Sequence, residues 1–389
     1  MSKQKSLKLN FIMNAILTMS SFLFPLITFP YVSRVLLPAG TGRVSFANSV
    51  VTYFVMISQL GIPTYGIRAC AVVRDDEEKL KKTVYELFII NVVMSIFAYV
   101  VFFIALASVP RLRADRNLFL ITSTLIFFNT IGVEWLYKAL EQYTYITIRS
   151  IIFKFIALIA MFILVRNVDD YVIYGGISIF AASASNVFNF IRLRKIIGAK
   201  KVSNLNFKKH FKPVFTFFII SCATTIYTNL DNVMLGFMKD DVEVGYYNAA
   251  TKIKNILVSI VTSLGTVLMP RASYYIQQEM WDEFYKLSKK AIKFVLLAAT
   301  SMMIYFMIFA REGVLFLSGE AFGGAVVPMI IVMPTLLFIG LTNIMGIQML
   351  IPMGNENAVM ISTFAGAIVD LILNAIFIPF LGSSGAGIG

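Results

Sequence analysis

The chain has 389 residues, of which 58% are hydrophobic and only 14% charged, against about 25% charged in an ordinary soluble domain. One globular core has no use for so much apolar surface, and a lipid bilayer is the solvent that suits it. The net charge of +13 would suggest a nucleic-acid partner in a soluble protein, but its placement along this chain excludes the need for one, as the loops show.

In chain order, eleven apolar stretches are long enough to cross a bilayer: about 10–33, 44–62, 85–109, 117–137, 146–165, 171–191, 213–237, 246–269, 291–310, 324–350 and 358–381. The first follows Lys3, Lys5 and Lys8, as a signal peptide would. It is too long for an h-region and no small-residue cleavage site follows, so it reads as a retained helix, kinked by Pro30. Lys and Arg then alternate between rich and poor loops. The rich set holds Lys3, Lys5, Lys8; Arg68, Arg74, Lys79, Lys81, Lys82; Lys138; Arg192 to Lys212; and Arg271, Lys286, Lys289, Lys290. The poor set holds Arg34, Arg43, Arg111, Arg113, Arg116, Arg166, Lys239 and Arg311. The positive-inside rule places the rich set, and the N-terminus, in the cytoplasm. The stretch Arg74 to Lys82 reads as a solvated surface helix.

The basic segment Arg192 to Lys212 divides the chain into a six-span part, 1–198, and a second part, 199–389. The two share a faint pattern: Gly42, Phe46, Ala47 and Asn48 in one, Gly245, Tyr246, Tyr247, Asn248 and Ala249 in the other. An even number of spans per half would relate them by an axis along the membrane normal. The ending Gly382-Ser-Ser-Gly-Ala-Gly-Ile-Gly389 has the composition of a turn that opens another span, so at least one further helix is expected beyond it.

No P-loop, His-Glu-x-x-His or Gly-x-Ser-x-Gly is present, and Cys70 and Cys222 have neither metal nor disulfide spacing. No metal, cofactor or catalytic residue is therefore expected. The one histidine, His210, lies in the basic linker and reads as solvated. Outer loops of about ten residues leave little room for an enzymatic site, and a binding-and-moving function is favoured. Charges in or beside the apolar spans carry the remaining information. Asp231 lies inside one, where a carboxylate costs roughly 2.5–3.5 kcal/mol unless it faces a polar interior. Arg34 and Arg43 flank Leu37-Pro38-Ala39-Gly40; Glu134 and Trp135 close the fourth span, with Lys138 beyond; Arg149 and Lys154 enter the fifth; Lys252 and Lys254 begin the eighth. Taken singly, long basic side chains at helix ends can snorkel to the interface. Together the cations outnumber the carboxylates, so a lumen lined by them would attract an anion, and Arg's forked donors suit phosphate.

At these residues the chain resembles a known family. Phe29-Pro-Tyr-Val-Ser-Arg-Val-Leu36 with Gly42-Arg-Val-Ser-Phe-Ala-Asn48, Gly61-Ile-Pro-Thr-Tyr-Gly-Ile-Arg68, Glu134-Trp-Leu-Tyr-Lys-Ala-Leu-Glu141, and Asn229-Leu-Asp-Asn-Val-Met-Leu-Gly236 with Glu243-Val-Gly-Tyr-Tyr-Asn-Ala-Ala250 are similar in order and spacing to motifs of bacterial lipid-linked oligosaccharide flippases. These are the O-antigen and capsule repeat-unit exporters of the multidrug/oligosaccharidyl-lipid/polysaccharide superfamily. Ala139 stands where the family usually has Gly.

The resemblance implies an all-α polytopic membrane protein of two pseudo-repeated helical lobes in a V, six spans plus five or more. It implies a multi-pass protein of the bacterial inner membrane, its N-terminus cytoplasmic. The implied activity is alternating-access transfer of an undecaprenyl-diphosphate-linked oligosaccharide to the outer leaflet, beside a polymerase and other polysaccharide assembly proteins. It carries substrate contact to Arg34, Arg43 and Arg68, and ion coupling or lobe bridging to Asp231, with Glu134 able to serve either way. Lys138, Arg149, Lys154, Lys252 and Lys254 are substrate-binding candidates on charge and position alone. Two alternatives remain open: a drug/cation antiporter of the same superfamily, and a membrane polysaccharide polymerase.

Overall fold

The computed structural model describes residues 7–198 and 204–389, which are helical almost throughout, with no strand among the described residues. The chain clusters into two compact units. Unit 1 comprises residues 1–36 and 46–229, and unit 2 comprises 37–45 and 230–389. Two helices run from one unit into the other, the long first helix α1 (Leu7–Gln59) and α10 (Lys208–Met238).

Within unit 1 the chain continues from α1 through α2 (Ile62–Val72), α3 (Glu77–Ser108), α4 (Pro110–Ala114), α5 (Arg116–Gly132), α6 (Glu134–Ala139), α7 (Tyr143–Leu164), α8 (Tyr171–Ile179) and α9 (Asn186–Ile197). Local chemistry sets several boundaries. Asp76 caps α3 by accepting from the Lys79 amide at 3.0 Å, with Glu77 and Glu78 in the first turn, where acidic side chains favour a helix start. The same Lys79 amide and ammonium hold the Asp76 carboxyl below its ordinary value. Pro110 opens α4, where its missing N–H costs nothing. The core of this unit gathers Ile62, Leu80, Val84, Leu87, Trp135, Leu136 and Tyr137. On α7, by contrast, Ile152, Phe155, Ile156, Ile159 and Ile163 are exposed, which suits a surface in contact with acyl chains.

Unit 2 adds α11 (Asp241–Gln277), α12 (Trp281–Ile308), α13 (Ala310–Ser318), α14 (Val326–Val332), α15 (Thr335–Thr342), α16 (Glu356–Leu381) and the short α17 (Ser383–Ala386). Asp240 caps α11 through the Glu243 amide at 3.0 Å. Residues 37–45 pack against the start of α11 nearly backbone to backbone. A Cβ on Gly42 would strike the Asp241 carbonyl, and one on Gly245 the Pro38 carbonyl, so small residues are required at this crossing.

Seven helices among the described residues are long and apolar enough to cross a membrane, or eight if the pair Glu320–Val332 and Thr335–Leu350, bent by 46°, forms one span. The expectation was eleven. The first two expected spans lie in a single helical stretch, Ile12–Val72. The fourth corresponds to α5, only 17 residues long. The break in α1 falls at Leu37 (φ 59°, ψ 178°) and not at the expected Pro30. A residue before proline is pushed out of the α region, and Leu37 precedes Pro38.

Candidate functional site

In unit 1, four of the expected residues come together. Val133 adopts a left-handed backbone (φ 37°), which ends α5 and starts α6 at Glu134. Lys138, one turn on, reaches Glu134 Oε1 at 2.8 Å. From α7, Arg149 approaches Glu134 Oε2 at 3.8 Å. Arg149 is 7% exposed, and Nη1 donates to the Ser185 carbonyl at 2.7 Å and to Asn186 Oδ1 at 3.2 Å. Ser185 directly follows a π-helical turn, Phe180–Ala184, a distortion that re-routes backbone hydrogen bonds and recurs at functional sites. Lys154 lies within electrostatic reach of Glu134 and donates to Ser20 Oγ and Ser21 Oγ, both at 2.9 Å. Arg149 Nε is a buried donor with no partner.

Arg34 and Arg68 stand apart from this cluster, both exposed. Arg34 Nη1 donates to the Pro30 carbonyl at 2.6 Å. Arg43 belongs to the segment that packs in unit 2, where Nε pairs with Asp241 Oδ2 at 3.3 Å.

Unit 2 holds a second polar cluster. Asp231 on α10 accepts from the Tyr247 hydroxyl of α11 and from Asn374 Nδ2 of α16 at 2.7 Å. Asn374 Nδ2 also donates to Asp370 Oδ1 at 2.9 Å. The i, i+4 spacing of Asp370 and Asn374 puts both on one face of α16. Lys254, seven residues after Tyr247 on α11, is close enough to act electrostatically on both carboxylates. Lys252 is half-buried on the same helix. Two carboxylates and one ammonium leave a net charge of −1. Asp370 Oδ2 and Asn374 Oδ1 are buried oxygens without a partner. Oxygen donors with net negative charge suit a proton or a small hard cation. No group of three or more His, Cys, Asp or Glu able to hold a metal occurs among the described residues.

Sequence reasoning passed over Asp370 and Asn374 and named Tyr247 only within a repeated pattern, although a charge at 370, within the apolar stretch 358–381, was as visible as Asp231. It also misjudged His210. The imidazole is 2% exposed, its Nε2 meeting Glu86 Oε2 at 2.8 Å and its Nδ1 the Tyr65 hydroxyl at 2.8 Å. Glu86, fully buried, is also bonded by Lys209 Nζ at 2.8 Å and by the Asn206 amide at 2.6 Å. Three donors to one carboxylate draw this stretch of the basic linker onto α3 and bury His210, while Lys208 and Lys209 stay exposed. The linker residues 199–203 lie outside the described residues.

The polysaccharide biosynthesis protein family matches residues 7–276. The chain belongs to this family. A second family, MatE, matches residues 217–376. Among curated relatives of this polysaccharide biosynthesis protein are candidate O-antigen transporters. One is from Escherichia coli (strain K12), 24% identical over 95% of this chain and 89% of the relative. Another is from Shigella dysenteriae, 23% identical over 94% and 91%. The fold is similar to that of lipid II flippase MurJ in an inward closed conformation, with a TM-score of 0.72 and 16% identity, covering 96% of this chain and 84% of that one. The likeness is one of fold. With its apolar helices, it makes this an all-α, multi-pass membrane protein.

Proposed function

We propose that the chain carries an undecaprenyl-diphosphate-linked oligosaccharide repeat unit from the cytoplasmic to the outer leaflet of the bacterial inner membrane. It does so by alternating access, as a transporter and not an enzyme, and its N-terminus is cytoplasmic. The cargo supplies surface polysaccharide (O-antigen, capsule or exopolysaccharide). The observation that carries this reading is the gathering of Lys138 on the short α6 with Arg149 and Lys154 on the apolar α7 of unit 1. Bare ions moved into a low-dielectric medium cost tens of kcal/mol, so charges are kept there only when something pairs with them. A diphosphate diester is an anion that fits, its polyprenyl tail remaining in lipid. Arg34, Arg43 and Arg68 contact the same anion on its route. The Asp231–Asp370 cluster of unit 2 binds a proton or monovalent cation, and its occupancy biases the conformational exchange.

Full-length protein in proteoliposomes, loaded with a fluorescent polyprenyl-diphospho-N-acetylglucosamine, tests this directly. Movement of the probe between leaflets is expected only in protein-containing vesicles; equal rates with and without protein would overturn the reading. The MatE match over residues 217–376 favours a second reading, a drug/cation antiporter. The cationic cluster of unit 1 argues against it, since it repels such cargo, and accumulation of a fluorescent organic cation would argue for it.

A further inference from the structure

We infer that Glu134 is an internal counter-anion occupying the place of the cargo's diphosphate, and that the arriving diphosphate displaces it. This inference rests on the flippase reading. Lys138 pairs with Glu134 at 2.8 Å, Arg149 approaches it at 3.8 Å, and Lys154 lies farther off within its electrostatic reach, so one carboxylate balances one of three positive charges. A diphosphate diester at neutral pH carries two negative charges, whereas a phosphodiester linkage carries one. The site therefore discriminates by charge between a lipid joined to its sugar through a diphosphate and one joined through a single phosphate.

The geometry fits an exchangeable contact. The guanidinium of Arg149 is fixed at its buried end by the Ser185 carbonyl and Asn186. At its other end it meets Glu134 at 3.8 Å, too far for a hydrogen bond. Arg149 Nε is a buried donor left unpaired, and such a donor costs free energy until an acceptor arrives. Glu134 and Lys138 are the open side of the cluster, their side chains 37% and 34% exposed. An anion from solvent or the lipid interface reaches them first. Glu134 offers two oxygens on a single charge. A diphosphate offers more oxygens and twice the charge, so exchanging one for the other improves both the charge balance and the hydrogen-bond count. On release, the tethered carboxylate takes back the cations and keeps the cargo from being trapped.

The test measures binding and turnover of full-length protein in nanodiscs and proteoliposomes. The probes are a polyprenyl-diphospho-N-acetylglucosamine and its monophospho-linked counterpart. Glu134→Gln is expected to tighten the diphosphate probe roughly tenfold and the monophosphate probe distinctly less, while lowering maximal flipping because release slows. Glu134→Asp keeps the charge and should behave near wild type. Lys138→Ala should weaken the diphosphate probe more than the monophosphate probe, a readout that stands even if the Gln variant fails to fold. Unchanged or weaker diphosphate binding in a folded Glu134→Gln, or equal losses for both probes in Lys138→Ala, would overturn the inference and leave the flippase reading standing. A wild-type protein that neither binds nor moves the diphosphate probe would instead remove the reading on which it rests.

Discussion

Asp370→Asn is the sharpest probe of unit 2. The substitution preserves volume and an acceptor for Asn374, so it tests charge with little change of packing. In the wild-type cluster, Asp231, Asp370 and Lys254 sum to −1; in the variant they sum to zero, and the unpartnered Asp370 Oδ2 becomes part of a neutral amide. A cation about 4 Å from the lost charge forfeits at most about 4 kcal/mol at an effective dielectric constant of 20, a ceiling of roughly three decades in affinity. Couplings between a bound effector and a conformational equilibrium are typically about 1–3 kcal/mol, or roughly 5- to 150-fold. The expected result is a loss of cation or proton dependence of flipping on the order of a hundredfold. The assay varies sodium at fixed pH and then pH at fixed sodium, in proteoliposomes, with thermal melting in detergent as a parallel readout. A ligand present at 100 times its dissociation constant stabilises the folded state by about 2.7 kcal/mol, so whichever ion raises the wild-type midpoint and leaves that of Asp370→Asn unmoved is the coupled one. A variant that flips at the wild-type rate, with both dependences intact, would refute the assignment of this cluster as the coupling site.

Three further outcomes are expected. Asp231→Asn should abolish transport and Asp231→Glu retain it; an active Asn variant, in the same flipping assay, would reduce Asp231 to a structural partner of Tyr247 and Asn374. Arg34→Ala and Arg43→Ala should each lose translocation while membrane level stays normal, checked by immunoblot beside the flipping rate; wild-type rates in both would remove them from the substrate route. Glu86→Ala should destabilise the protein by about 1–3 kcal/mol, the range for a buried polar group left unsatisfied, because the buried His210 loses its acceptor; an unshifted thermal midpoint would show that the network carries no stability.

Which of these residues could be read from the sequence follows from how each one is defined. Asp231 was legible because a carboxylate in an apolar stretch is expensive wherever its partners are. Its partners were not legible: Tyr247 and Asn374 are neutral side chains of ordinary kinds, 16 and 143 residues away, and only the packing of α11 and α16 against the end of α10 selects them. His210 shows the same limit in reverse. Its neighbours in sequence, Lys208, Lys209 and Lys212, describe a solvated basic segment, yet one carboxylate 124 residues away reverses that reading for His210 by offering an acceptor that buries it. The count of long apolar helices among the described residues is lower than eleven partly because the first two apolar runs lie in one helical stretch, Ile12–Val72, whose break at Leu37 separates them. Glu134 lies between these cases. Its charge and its i, i+4 partner Lys138 are sequence facts, whereas the approach of Arg149 depends on a π turn and on the left-handed Val133. A non-glycine residue held in that conformation costs on the order of 1–3 kcal/mol. Here it sets the point at which α6 begins, and so brings one carboxylate to three cations that no periodicity in the chain would have gathered.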